Sequence, residues 1–155
     1  MRCAIGADDV APFTDVLLAE LESRGIAVER FGSLRVRGAG DVPPADDGEW
    51  ASIGRAVGEA VVAGRAELGI VCCFTGTGIS IAANKVRGVR AALCSDAATA
   101  EGARRWNDAN VLALSLRSTS TTVGLEILAA FLATEASLDP GDRRSIEAVE
   151  ALNPS

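Results

Sequence analysis

The stretch ELGIVCCFTGTGISIAAN, residues 67–84, decides the fold. It opens with a nearly unbroken apolar run from Leu68 to Cys73, passes through a Thr-Gly-Thr-Gly turn, and continues into a short helical segment. Continuous apolar runs of this length are typical of strands that are covered on both faces. The stretch therefore predicts a buried strand, a tight glycine turn at its carboxyl end, and a helix over 78–84.

The alternation of strand and helix extends outward from this stretch along the chain. Strands are predicted over 1–6, 26–31, 67–73, 89–94 and 110–116, and helices over 11–23, 50–63, 78–84, 97–105, 121–134 and 145–152. The strand over 89–94 is expected to be buried, and glycine, proline and aspartate over 38–48 predict a long loop. This pattern indicates an α/β fold, a parallel sheet with helices on both faces, in one domain spanning 1–155.

Composition argues against several classes of protein. The 155 residues carry a net charge of -6, which argues against a general nucleic-acid partner. No apolar run is long enough to span a membrane, and the N-terminus lacks the pattern of a signal peptide. The four cysteines have no CxxC spacing, which argues against a zinc site. The chain is thus predicted to be cytoplasmic, with free thiols and no membrane contact.

The turn after the central strand is where chemistry is expected. In parallel sheets ligands bind beyond the carboxyl ends of strands, and the loops 7–9, 73–78 and 95–96 all lie at such ends. Gly76 and Gly78 would let backbone amides converge on a phosphate, a carboxylate or a developing enediolate. Cys73 would be a base or nucleophile there, or else a small core residue. Cys72 and Cys73 alternate faces, so at most one of them is expected to face a site.

Residues 75–114 read TGTGISIAANKVRGVRAALCSDAATAEGARRWNDANVLAL. This segment resembles the ribose-5-phosphate isomerase B / galactose-6-phosphate isomerase family. The family pattern has Cys-Gly-Thr-Gly, Ser-Ile-Ala-Ala-Asn-Lys, Gly-Ile-Arg-Ala and Ala-Arg-x-His-Asn-Asp-Ala-Asn-Val-Leu in the same order. The resemblance implies a three-layer α/β/α sandwich around a five-stranded, Rossmann-like parallel sheet. It also implies aldose–ketose isomerisation of a sugar or sugar phosphate without metal or cofactor, in a homodimer or dimer of dimers with interface sites.

The resemblance assigns roles to the turn that follows the central strand. Cys73 matches the cysteine that acts as the base in many members, where it moves a proton between C1 and C2 of the sugar. Other members use a glutamate six residues later, and that position is Ile79 here. Thr75 matches the hydroxyl residue that helps to open the sugar ring. The backbone around Gly76 and Gly78 matches the turn that binds the enediolate.

Further positions match groups that hold the substrate. Asp8 matches the aspartate that binds sugar hydroxyls, and Asn107 matches an asparagine donated by the neighbouring subunit. Arg117 matches an arginine that contacts the phosphate end of the substrate across the subunit interface. Two C-terminal arginines of the family, which hold the phosphate, align with Gly141 and Ser145 here. Arg143 and Arg144 lie between these positions and are candidates to replace them.

Three of the departures from the family pattern are single residues expected at the substrate site; a family tyrosine is also replaced, within Asp46-Asp47-Gly48. Asp9 and Trp106 stand where the family has histidine, and Phe74 stands where the turn has its first glycine. Asp9 would repel a phosphate dianion, and Trp106 cannot shuttle a proton. These residues predict a substrate other than ribose 5-phosphate.

Three functions remain open on the sequence. The first is an aldose–ketose isomerase of altered specificity with Cys73 as base. The second is a non-catalytic or regulatory subunit that partners another family member. The third is a protein that binds or modifies sugars or nucleotide sugars and has kept the fold but changed the chemistry.

Overall fold

Strands and helices alternate along residues 1–35 and 48–152, the part of the chain described by a computed structural model. The strands are β1 (Arg2–Ala7), β2 (Ala27–Gly32), β3 (Leu68–Cys73), β4 (Ala91–Leu93) and β5 (Val111–Ser115). The helices are α1 (Pro12–Ser23), α2 (Trp50–Val62), α3 (Thr77–Ala83), α4 (Ala97–Asn107), α5 (Thr121–Ala133) and α6 (Pro140–Ala151). The loop predicted over 38–48 lies outside the described residues except for Gly48.

The strands form one parallel five-stranded sheet in the order β2-β1-β3-β5-β4, which confirms the predicted fold class. β3 lies at the centre between β1 and β5, where Ala7 pairs with Cys72 and Cys73 pairs with Ser115. Because the three strands are parallel and in this register, the residues that follow them meet at one edge of the sheet.

Two separate apolar cores cover the two faces of the sheet. On one face Ile5 and Cys72 pack with side chains of α1, α4 and α5, among them Leu17 and Ile127. The other face, which includes Cys73, packs against α2 and α3. The predicted alternation of Cys72 and Cys73 is confirmed, since the two thiols belong to opposite layers of an α/β/α sandwich.

Two predicted elements need correction. The strand over 89–94 is only the three-residue β4, and it is not buried: it forms an edge of the sheet, bonded to β5 alone, and Leu93 is 40% exposed. The last helix begins at Pro140 rather than at 145. The Asp139 carboxylate caps it by accepting the amide of Gly141 at 2.7 Å, and proline suits the first helical position.

The described helices include none that combines the length and the apolar character needed to cross a membrane. All four cysteines are free and buried, as expected for Cys3 and Cys94.

Candidate active site

A cavity of about 460 Å³ opens at the carboxyl edge of the sheet, where β1, β3 and β5 end. Its walls combine two carboxylates with apolar groups: Asp8, Asp9, Val10, Ala11, Phe74 and Leu116. Three of the predicted site residues, Asp8, Asp9 and Phe74, therefore share one cavity. Leu116 and Val10 were not predicted, although the position of Leu116 directly after a strand was a signal for it.

Asp8 has an oxygen that is free to accept a hydrogen bond. Within the described residues its buried Oδ1 has no partner, while the backbone of Asp8 is tied to Cys72 and Ser33. Burial raises the pKa of the Asp8 carboxyl, and the nearby charges of Asp9 and Glu49 add to the rise against the opposing effect of backbone amides. A buried acceptor without a donor is suited to a ligand hydroxyl.

Cys73 ends β3 but does not line this cavity. Its side chain is 5% exposed and packs in the core beneath α2 and α3. Its carbonyl oxygen accepts the amides of Gly76 at 3.1 Å and Leu116 at 2.9 Å, which fixes the turn to the end of β5. Cys72 lies on the other face, and burial raises the pKa of its thiol. Of the two cysteines, Cys73 is therefore the one next to the turn.

The turn between β3 and α3 requires glycine at position 76. Gly76 has φ +76°, and a Cβ built on it would lie 2.6 Å from Cδ1 of Leu93 and 2.9 Å from the carbonyl group of Leu114. Gly78 lies under the ring of Trp50, whose atoms would be 3.1–3.2 Å from an added Cβ. Trp50 was not among the predicted site residues, and it lies against the turn.

The two hydroxyls of the turn are paired. Thr75 and Thr77 lie with their Oγ1 atoms 2.7 Å apart, and both residues are exposed. The Thr75 hydroxyl is therefore at the surface of the turn, with a second hydroxyl beside it.

Phe74 links the turn to Arg117. The Phe74 ring is 64% exposed, and the Arg117 guanidinium lies 5.9 Å from its centroid in a cation–π contact. The amide of Arg117 also donates to the Phe74 carbonyl at 3.0 Å. Phe74 thus forms a wall of the cavity and supports the cation predicted to hold the charged end of a substrate.

The remaining predicted site residues lie elsewhere in the chain. Trp106 and Asn107 end α4, which runs back from the carboxyl end of β4 to the amino end of β5, so they lie at the opposite edge of the sheet. They line a second cavity of about 320 Å³ together with residues of β4 and α6. Arg143 and Arg144, on the first turns of α6, are exposed and do not line either cavity.

Within one chain, the predicted site residues thus form two groups at opposite edges of the sheet. One group contains Asp8, the turn after Cys73, and Arg117. The other contains Trp106 and Asn107. Across 1–35 and 48–152 no cluster of three or more His, Cys, Asp or Glu side chains is placed to hold a metal ion.

Comparison with known proteins gives the class of this fold. The family model described as Ribose/Galactose Isomerase matches residues 3–150. The galactose-6-phosphate isomerase subunit LacB of Clostridium acetobutylicum is 32% identical over 153 residues, 98% of this chain and 83% of that protein. The D-erythrulose-4-phosphate isomerase of Pectobacterium atrosepticum is 32% identical over 136 residues, 87% of this chain and 84% of that protein.

A solved structure agrees with these relatives. The ribose-5-phosphate isomerase B of Clostridium thermocellum superimposes with a TM-score of 0.84 at 33% identity, covering 98% of this chain and 97% of that chain. Fold and relatives together define the class as that of aldose–ketose isomerases. Within that class the chain belongs to the ribose/galactose isomerase family.

Proposed function

We propose that this protein interconverts an aldose other than ribose 5-phosphate with the corresponding ketose, and that Cys73 is the base. The observation that carries the proposal is the register of the central strands, in which Ala7 pairs with Cys72. This register places Asp8, with its unpartnered oxygen, beside the turn that follows Cys73. Family membership supplies the reaction class, and the register supplies a reason for these two groups to act on one substrate.

The proposed chemistry moves one proton from C2 to C1 and one from O2 to O1, and it leaves the redox state of the sugar unchanged overall. The Cys73 thiolate removes the proton from C2 of the open-chain aldose, and the C–H electrons form the C1–C2 double bond of a cis-enediolate. This leaves the negative charge on O1, and the proton on O2 passes to O1. The thiol then returns its proton to C1 while the electrons on O2 form the C2 carbonyl, which gives the ketose and restores the thiolate. Asp8 accepts a hydrogen bond from a substrate hydroxyl, and the glycine turn binds the enediolate oxygen.

The charges of the cavity favour a substrate that presents hydroxyls rather than phosphate to Asp8 and Asp9. Two carboxylates in one cavity would repel a dianion, and neither Phe74 nor Leu116 offers a side-chain donor to offset the repulsion. The apolar side chains suit the C–H face of a sugar. Arg117 is a cation in contact with this wall through Phe74, so a negative group of the substrate is expected to lie on its side.

We further propose that two copies of the chain complete each site. Asn107 and Cys73 lie at opposite edges of the sheet in one chain, so the same substrate can touch both only if they come from different copies. Trp106, 56% exposed, would lie at this interface as an apolar wall. A homodimer, or a dimer of such dimers, would then hold two equivalent sites.

The test of the base is proton–deuterium exchange. The protein is incubated in D2O with ribose 5-phosphate, other pentose and hexose phosphates, free sugars and uronates, and the C1 and C2 protons are followed by NMR. Cys73→Ala should abolish exchange on the substrate found, whereas Cys72→Ala, the matched change one residue earlier on the opposite face, should retain it. Undiminished exchange in folded Cys73→Ala would refute the role of this thiol.

The test of the shared site is complementation. Cys73→Ala and Asn107→Ala chains are each inactive in this proposal, but a mixed dimer contains one site with both native residues. Random reassembly of equal amounts gives half mixed dimers, so about one quarter of the wild-type rate should return. A mixture as inactive as its components, with mixed dimers shown by mass spectrometry, would mean that the site is not shared in this way.

A second candidate function is supported by one relative and by the departures from the family pattern. The chain is 32% identical over 98% of its length to a protein named as a subunit of galactose-6-phosphate isomerase. Asp9 and Trp106 replace both histidines of the family pattern, which suits a subunit that is inactive alone. Absence of exchange on the whole panel, with exchange restored by a second family member, would favour this function. Exchange by the purified chain alone would exclude it.

A further inference from the structure

Arg90, directly before β4, makes contacts that its sequence position does not suggest. Its side chain is 19% exposed. Its Nε donates to the carbonyl oxygen of Asp108 at 2.8 Å, and one terminal nitrogen donates to Oδ2 of the same residue at 2.9 Å. The other terminal nitrogen pairs with Glu150 on α6. One guanidinium therefore joins the start of β4, the end of α4 and the last helix.

Asp108, the residue held by Arg90, makes a sharp bend directly after Asn107. Its φ is +45°, and it is the only residue other than glycine with a positive φ in the described part of the chain. Arg104, one helical turn earlier, donates to Oδ1 of Asp108 at 3.3 Å and to the carbonyl oxygen of Ala109 at 2.6 Å. Two arginines thus hold the Asp108 carboxylate, one on each oxygen.

Two asparagines fix the backbone that carries Arg90. Oδ1 of Asn110 accepts the amide of Arg90 at 2.8 Å, and its Nδ2 donates to the carbonyl of Gly88 at 2.8 Å. Asn84 makes the equivalent pair with both backbone groups of Ala91, at 2.8 and 2.7 Å. The position of the guanidinium is therefore determined by backbone contacts as well as by its own charge pairs.

The side chain of Trp106 lies two residues before Asp108 and packs on its own helix. Its ring lies against Gly102, where an added Cβ would be 2.8 Å from the Cζ3 atom of the ring. Trp106 and Asn107 are the last two residues of α4, so a change in the bend at Asp108 would move both of them. Trp106 is 56% exposed.

We propose that Arg90 is a positioning residue, which sets the direction of Trp106 and Asn107 by holding Asp108 in its left-handed conformation. The consequence for turnover rests on the proposed function, because it requires that Asn107 reach the partner's substrate. The geometric claim, that Arg90 holds Asp108 and so directs Trp106, does not rest on the proposed function. An arginine is needed because its donors point to a carbonyl, a carboxylate and Glu150 at once, which a lysine cannot match.

The test compares Arg90→Met and Arg90→Lys with Arg87→Met, which removes an exposed arginine three residues earlier. In a Trp50→Phe background Trp106 is the only tryptophan, so its emission maximum and anisotropy report on this site alone. Arg90→Met should lower the anisotropy and shift the emission, Arg90→Lys should lie between, and Arg87→Met should match its parent. With Trp50 retained, kcat/KM for exchange should fall by about 100-fold in Arg90→Met, as expected for a misplaced substrate contact.

Unchanged anisotropy and emission in folded Arg90→Met would overturn the proposal. Should that variant not fold, Asp108→Gly replaces it, because glycine adopts the same φ without strain and lacks the carboxylate. Asp108→Gly should loosen Trp106 in the same way, and a rigid Trp106 there would also overturn the proposal. If the wild type shows no exchange, the proposed function fails while the fluorescence result still decides the role of Arg90.

Discussion

Replacing Gly76 by alanine should destabilise the fold more than the same change at Gly64, another glycine with positive φ. Two costs add at this position. An L residue at φ +76° loses about 1–2 kcal/mol. The new methyl group would also lie 2.6 Å from Cδ1 of Leu93 and 2.9 Å from the carbonyl of Leu114, and overpacking of this kind costs about 1–3 kcal/mol. The sum is about 2–5 kcal/mol.

Gly64 provides the matched control. Its φ is +71°, close to that of Gly76, but an added Cβ there meets no atom within 4 Å. Gly64→Ala should therefore carry the conformational cost alone, about 1–2 kcal/mol. The difference between the two variants isolates the steric overlap at the turn.

The assay is urea unfolding at one fixed subunit concentration, because association would make the midpoint depend on concentration. Gly76→Ala should unfold at lower urea than Gly64→Ala, and it should lose exchange activity because the turn beside Cys73 has shifted. Equal free energies of unfolding for the two variants would refute the reasoning, since the backbone of β5 would then be giving way to the methyl group at no cost.

Three further predictions concern charge and the cavity wall. Asp8→Asn should raise stability at neutral pH. Burial raises the pKa of this carboxyl, so its ionisation lowers the free energy of unfolding as the pH rises through the folded pKa. The gain of the variant over wild type in urea unfolding should therefore shrink toward acid pH. Asp96→Asn should behave oppositely, since the amide of Thr99 lowers the pKa of Asp96, and the stability that it contributes at neutral pH should disappear as the pH falls through the folded pKa. Phe74→Gly should change stability little because the ring is 64% exposed, and it should raise exchange on larger sugars; NMR exchange that falls on every sugar would contradict the cavity-wall role.

The sequence was sufficient to predict the parallel sheet because the apolar run of β3 and the helix periodicity are local signals. It was insufficient for β4, whose apolar composition resembles that of a buried strand. Whether a strand is central or at an edge depends on sheet order, which a local pattern does not contain. The start of α6 was missed for a different reason, because Asp139 and Pro140 are a start signal that precedes the apolar periodicity.

The candidate site, like the fold, could be predicted from the sequence only in part. Asp8 and Phe74 were predictable as neighbours because strand ends meet at one edge of a parallel sheet. That Cys73 would pack beneath α2 and α3, with Phe74 on the cavity wall instead, depends on the local path of the turn. The role of Arg90 was not accessible to pattern reasoning, since its partners Asp108 and Glu150 lie far away in sequence.

Residues that match the family pattern and residues that depart from it both lie around the two cavities. Asn84, Arg90, Asp108 and Asn110 match it, and all four belong to one hydrogen-bonded frame around the end of α4. Two of them, Asn84 and Arg90, also line the cavity that contains Trp106, and the departures at 9, 74 and 106 lie on the walls of the two cavities. The frame holds Trp106 and Asn107, which the proposed function places in a site shared between two copies. Retention of the frame and of Asp8 and Asn107, with replacement of three other wall residues, therefore favours a changed substrate over a lost reaction.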